Sequence, residues 1–236
     1  MVHRDESPNV FRGRREAGRR LVARLQHYRD QPRTVVLGLP RGGVVPAAEI
    51  AAALRLPLDV IIARKIGAPG NPELAIGAIA EGGDAYLNEE GLALTGASRE
   101  YVAEEIRHQQ VEIAHRQERF RNGRALSLPD NSTVILVDDG VATGSTVIAA
   151  IRALRHQRVA RLVLAVPVAP PDTVAMLRDM VDELVVLSTP MLFWAVGAFY
   201  EEFQQVSDDE VCELLAQAKH EQRLQQGHGE AVGPSR

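Results

Sequence analysis

The chain has 236 residues, 45% hydrophobic and 25% charged, with 31 acidic against 27 basic side chains for a formal charge of -4. That is the composition of a soluble globular protein, and the length suits one α/β domain with extensions rather than two full domains. The longest apolar run, Leu162 to Ala169, is broken by a proline and too short to cross a hydrocarbon layer of about 30 Å, so a membrane-spanning helix is excluded.

Met1 to Asn9 is polar and charged without an apolar stretch, which argues against a secretory signal and makes the cytoplasm the expected location. A lone cysteine, Cys212, has no intrachain partner for a disulfide, and the histidines lack zinc-ligand spacing. Residues 11–29 place Phe11, Gly18, Leu21, Val22, Leu25 and Tyr28 on one helical stripe, with seven arginines mostly elsewhere. This predicts an amphipathic amino-terminal helix. Its basic face reads more readily as solvated or partner-facing than as a nucleic-acid site, because the whole chain is acidic.

From Thr34 onward, short β-branched runs end in glycine or proline and give way to helical patterns. Strands are expected at 34–39, 58–63, 133–137, 161–166 and 183–187, and helices at 44–54, 145–155 and 172–180. Alternation of this kind predicts an open, doubly wound parallel sheet with helices on both faces. Residues 64–83 interrupt it with five glycines and two prolines, and are expected to form a mobile loop or ribbon. A long helix follows at 98–121. A last helix is expected at 207–224, opened by Ser207 with Glu210 three residues on, and residues 225–236 are expected to be disordered. The organisation predicted is one domain over 1–224, with a core at 34–188 and a small hood at 189–206.

The stretch Val134 to Thr146 runs from an apolar strand into Asp138 and Asp139, then Gly140, Val141, Ala142, Thr143, Gly144, Ser145 and Thr146 before a helix. Ligands of open α/β sheets bind beyond the carboxyl ends of the strands, where these acids project. The unpaired amides of the next helix favour an anion there, the hydroxyls add donors, and the glycines allow close approach. An earlier strand ends in Pro40, Arg41, Gly42 and Gly43, a turn whose amides and guanidinium suit phosphate oxygens.

These residues resemble the phosphoribosyl diphosphate (PRPP) motif of the type I phosphoribosyltransferases, over about residues 34–206. The resemblance implies that Asp138 and Asp139 hold the ribose hydroxyls and, through those hydroxyls or water, Mg2+. It implies that 141–146 wrap the 5-phosphate and that 40–43 form the diphosphate loop. Gly140 departs from the aliphatic residue usual in the family. Arg64 and Lys65 resemble the start of the family's closing loop, and with Arg41 they are the candidate catalytic cations. Lys65 and Lys219 are the only lysines. The overall texture is closest to bacterial phosphoribosyltransferase-like proteins of unassigned acceptor, and the family resemblance suggests a homodimer.

Half of the ten aromatic residues fall between Phe193 and Phe203. Phe193 resembles the aromatic residue that stacks on the base in hypoxanthine-guanine phosphoribosyltransferases, and Phe193 or Trp194 is the expected acceptor contact. Core packing would explain the same residues. The lysine those enzymes use to read a 6-oxo group has no counterpart in 162–171, so a 6-oxopurine acceptor is disfavoured. The expected function is Mg-dependent transfer of phosphoribosyl from PRPP to a nitrogen nucleophile, a heterocyclic base above all. The alternative is a non-catalytic sensor of PRPP or a nucleotide.

Overall fold

The computed structural model describes residues 11–157 and 159–229. In chain order its elements are α1 (Arg14–Leu25), β1 (Thr34–Gly38), α2 (Val44–Leu54), β2 (Leu58–Val60), β3 (Ala63–Ala68), β4 (Asn71–Ala80), β5 (Tyr86–Leu87), α3 (Glu89–Thr95), α4 (Arg99–Arg121), β6 (Thr133–Val137), α5 (Ser145–His156), β7 (Arg161–Val168), α6 (Pro171–Arg178), β8 (Glu183–Ser188) and α7 (Asp208–Gly229). A 3-10 turn at Gln26–Tyr28 extends α1, and another at Val196–Phe199 lies in the hood.

The main sheet has the order β2-β1-β6-β7-β8, with all neighbours parallel. Its central strands are apolar at consecutive positions because side chains alternate between two covered faces. Val36, Ile135, Val137, Val163 and Ala165 point into a core shared with α1, α2 and α7. Val35, Leu37, Val134, Leu136, Leu162 and Leu164 enter a second core with α5 and α6. This is the doubly wound fold expected from the alternation.

The clearest departures from the expected boundaries are at 58–63 and 225–229, and the open alternative at 64–83 is resolved. The strand at 58–63 is divided: β2 ends at Val60, and Ala63 opens β3 in a separate antiparallel sheet of order β3-β4-β5. Residues 64–83, expected as a mobile loop or ribbon, are a ribbon. Its two long strands pair across a register shift between Ile66 and Ala68, and Ile66 and Ile76 are fully buried in a cluster that includes Val102 of α4. Local glycine and proline content could not reveal this, because the apolar side chains find their partner on a helix about thirty residues away. Finally, α7 runs past Leu224 to Gly229, so 225–229 are helical rather than disordered, and the rest of the expected tail lies outside the described residues. The Ser207 cap forms as expected, accepting from the Glu210 amide at 3.1 Å.

Candidate functional site

The chain leaves β1 towards β2 on one side of the sheet and β6 towards β7 on the other, so the two neighbouring strands flank the switch point. Loops diverge at such a point and leave a crevice beyond the carboxyl ends. Both glycine-containing loops are there. Leu39 N donates to Val137 O at 2.9 Å. Gly43 passes so close that a Cβ would sit 2.7 Å from the Val137 carbonyl oxygen and 2.8 Å from Asp138 Cα, while at Gly42 it would overlap the Asp139 carboxylate. Residues 40–43 and 138–146 therefore share one surface, which only glycine at these contacts permits. The Pro40-Arg41 peptide is cis.

Asp138 Oδ1 accepts from the Asp139 amide at 2.9 Å. Burial and the neighbouring Asp139 charge push the Asp138 carboxyl well above the ordinary carboxylate range, since two adjacent acids in a desolvated place resist double ionisation. Asp139 is engaged by Arg14, whose Nε donates to Oδ2 at 2.6 Å. Beyond the acids, Gly140 adopts φ 156°, and a Cβ there would come within 2.5 Å of Val196 Cγ1. The space an aliphatic side chain would fill at 140 is thus filled by Val196 of the hood.

The rest of the loop is held by a few bonds. Val141 N donates to Val168 O at 2.9 Å, and Thr173 Oγ1 donates to Ala142 O at 2.6 Å. Gly144, at φ 81°, turns the chain into α5, and the Thr143 and Ser145 hydroxyl oxygens lie 3.4 Å apart. Ala142 and Thr143 are exposed at the tip and Ser145 is buried at its base. A strand ending in acids, a braced small-residue turn and the amide-rich start of a helix together offer the kinds of donor and acceptor that a phosphorylated polyol requires.

The phosphoribosyl transferase domain model matches residues 13–199. The chain belongs to that family. It is 45% identical over 212 residues to proteins of two Mycobacterium tuberculosis strains that are provisionally named phosphoribosyl transferases. The match covers 89% of this chain and 47% of theirs, so the chain spans about half the length of these curated relatives. The crystal structure of TT1426 from Thermus thermophilus, 43% identical, superimposes with a TM-score of 0.72 over 88% of this chain and 98% of that one.

In this phosphoribosyl transferase domain the other expected site residues have separate partners. Arg41 Nη1 lies 3.8 Å from Asp208 Oδ1. Arg64 Nε donates to Gln109 Oε1 of α4 at 2.9 Å, and Lys65 Nζ donates to Glu73 Oε2 across the ribbon at 2.7 Å. Phe193 is half-buried and stacked on Phe199, with ring centroids 5.2 Å apart, whereas Trp194 is 87% exposed.

Two residues of this region, Arg14 and Tyr200, escaped sequence reasoning. Arg14 Nη1 donates to Gln204 O at 2.7 Å and its guanidinium lies 3.8 Å over the Phe203 ring, so one side chain ties Asp139 to the hood. The Tyr200 hydroxyl donates to the Asp139 carbonyl, and burial, reinforced by the Asp139 charge, pushes its pKa far up, keeping it a donor. Arg14 is one of seven arginines between 12 and 29, and nothing local distinguishes it. The stitching is long-range: Phe11 N donates to Phe199 O and Glu201 N to Phe11 O, both at 2.8 Å.

Proposed function

We propose that this domain binds PRPP at the carboxyl edge between β1 and β6 and transfers its 5-phosphoribosyl group to a nitrogen nucleophile with release of diphosphate. The observation that carries the reading is the contact between the loops 40–43 and 138–146, which puts an acid pair, a hydroxyl-bearing turn and an arginine-bearing turn on one crevice. In this reading Asp138 and Asp139 hold the ribose hydroxyls, the backbone and hydroxyls of 141–146 hold the 5-phosphate, and 40–43 hold the diphosphate. The nitrogen lone pair forms a bond to the anomeric carbon as the bond to the diphosphate oxygen breaks, with inversion at that carbon. Positive charge grows on the ribose and negative charge on the leaving group, so Arg41, Arg64 and Lys65 would lower the barrier as cations beside the departing oxygens.

Among the described residues no group of three or more His, Cys, Asp or Glu is arranged to hold a metal. Two adjacent carboxylates nevertheless fit Mg2+, which keeps several waters and takes its remaining oxygens from substrate phosphates. Bound with PRPP, it would neutralise part of the diphosphate charge. The exposed ring of Trp194 suits a flat heterocyclic acceptor. A cytoplasmic location and a homodimer belong to the same reading. A second reading, a sensor of PRPP or a nucleotide, is favoured by one observation: Arg14 links Asp139 directly to the arginine-rich α1.

Calorimetric titration with Mg-PRPP tests the site. Asp138→Asn with Asp139→Asn should weaken binding strongly, and unchanged affinity would overturn the assignment. Radiolabelled PRPP offered to a panel of bases then separates transfer, which releases diphosphate, from sensing, which does not.

A further inference from the structure

A second collection of charges lies beside the 40–43 loop, where β3, α4 and the start of α7 meet. Arg41 reaches it from the loop and approaches Asp208 at 3.8 Å, too long for a hydrogen bond. That Asp208 oxygen is shielded from solvent and has no hydrogen-bond partner among the described residues. Arg64 arrives from β3 and is fixed by Gln109, a buried residue of α4 whose own amide donates to Glu105 Oε1 at 2.6 Å. Seven residues on, two helical turns along the same face, stands Arg116.

Arg116 is half-buried, and no hydrogen bond or ion pair to the described residues holds it. Burial, followed by the positive charges of Arg64 and Arg41, holds its guanidinium below the ordinary arginine range, while Asp208 and Glu112 act in the opposite direction. A purely structural network pairs each buried charge, as Glu81 does for Arg121 in the same helix. Arg119, one turn beyond Arg116, donates to Asp209 Oδ1 at 2.7 Å, which sets this stretch of α4 beside the start of α7, where Arg41 faces Asp208; neither Arg41 nor Arg116 has a hydrogen-bonded acceptor among the described residues. Like charges drawn together out of water are costly unless a ligand supplies the missing negative charge and acceptor oxygens.

We propose that Arg116 is a further diphosphate contact, completing with Arg41 and Arg64 a three-guanidinium site to which α4 contributes. This rests on the reading of 40–43 as the diphosphate loop. A diphosphate group suits the site better than a single phosphate because its charge and oxygens extend over two centres. The loose pair with Asp208 leaves Arg41 able to turn towards those oxygens. Because α4 packs on the ribbon that carries Arg64 and Lys65, a diphosphate held by Arg116 would also hold that ribbon against the site.

Titration of the wild-type protein and of Arg116→Gln with Mg-diphosphate and, separately, with ribose 5-phosphate decides the matter. The expected result is an about ten- to hundredfold loss of diphosphate affinity in Arg116→Gln with ribose 5-phosphate binding unchanged. Arg116→Lys should fall between the two, because it keeps the charge and loses the planar fork. Wild-type diphosphate affinity in Arg116→Gln would overturn the inference, and so would equal loss of both ligands, which marks a structural role. If the wild-type protein binds neither ligand, the donor-site reading itself fails. If Arg116→Gln does not fold, the same comparison on Arg116→Lys applies, and unchanged diphosphate binding there overturns the proposal.

Discussion

Arg14 has a side chain only 11% exposed and meets a carboxylate, a carbonyl and an aromatic face at once. A charge-assisted hydrogen bond at that burial is stronger than a surface ion pair, and removing the cation leaves Asp139 beside Asp138 without its counter-charge. Arg14→Met, which keeps much of the stem over Phe203, is expected to cost about 2 kcal/mol, or about 4–8 °C in Tm. Combining it with Asp139→Asn should recover part of the loss, and thermal melts of the four-member cycle measure the coupling. Lys65 behaves differently. Its partner Glu73 is exposed, so solvent screens the pair and leaves the lysine free to move. Lys65→Ala is therefore expected to leave melting unchanged while lowering kcat by about a hundredfold or more at little change in PRPP affinity. A kinetic assay in which the Lys65→Ala rate matches the parent would remove the lysine from the mechanism.

At the scale of elements, the hood divides its aromatics between two tasks. Phe193 stacks on Phe199 beside Phe11 and Tyr200, and so belongs to a small core that seats the hood on the entry to α1. Trp194 makes no such commitment. Phe193→Ala is expected to destabilise by about 3 kcal/mol, whereas Trp194→Ala should shift stability by under about 0.5 kcal/mol. If Trp194 stacks on a heterocyclic acceptor, Trp194→Ala should raise the acceptor KM by about one decade or more without altering PRPP binding. Melting and acceptor kinetics on both variants check this, and an unchanged KM in Trp194→Ala would discard the tryptophan as the acceptor contact. The longer helices were legible because their signals are local: Val102, Ile113 and Phe120 form the buried stripe of α4, and Ser207 caps α7 by accepting from the Glu210 amide. Even so, α3 escaped notice, because it is short and buries no residue to write an apolar stripe.

For the whole molecule, pH dependence is set partly at the edge of the sheet opposite the site. The Tyr28 hydroxyl donates to Glu183 Oε2 at 2.6 Å, and Arg161 donates to both, which joins the end of α1 to β7 and β8. Burial pushes Glu183 up, but the bonds from Tyr28 and Arg161 and the nearby His27 outweigh it and hold the carboxyl below its ordinary value. Burial and the Glu183 carboxylate push Tyr28 up to about 12, so it remains a donor throughout the neutral range. A lowered folded-state pKa means that the unfolded chain binds the proton more readily. The stabilisation is then complete above about pH 4.3 and is lost as pH falls through the folded value. Glu183→Gln should lower Tm near neutrality and reduce the slope of stability against pH below about pH 4.3. Melts from about pH 7 to about pH 3 that keep the parental slope would assign acid sensitivity elsewhere.

The five-strand parallel sheet, its covering helices and the two turns at 40–43 and 138–146 were written in local pattern: apolar runs, small-residue turns and acids at strand ends report on neighbours a few positions away. The fate of 64–83 was not local, since Ile66 and Ile76 are buried only because α4 folds back over them. The same holds for Arg14, Tyr200 and Gln109, whose partners are 125, 61 and 45 residues distant. Side-chain chemistry and spacing determined which two loops carry the acids, hydroxyls and glycines that meet at the carboxyl edge of the sheet. Which arginine of a basic helix reaches Asp139, and which aromatic of the hood stays exposed, was decided by chain crossings that bring distant segments together, and periodicity carries no record of those.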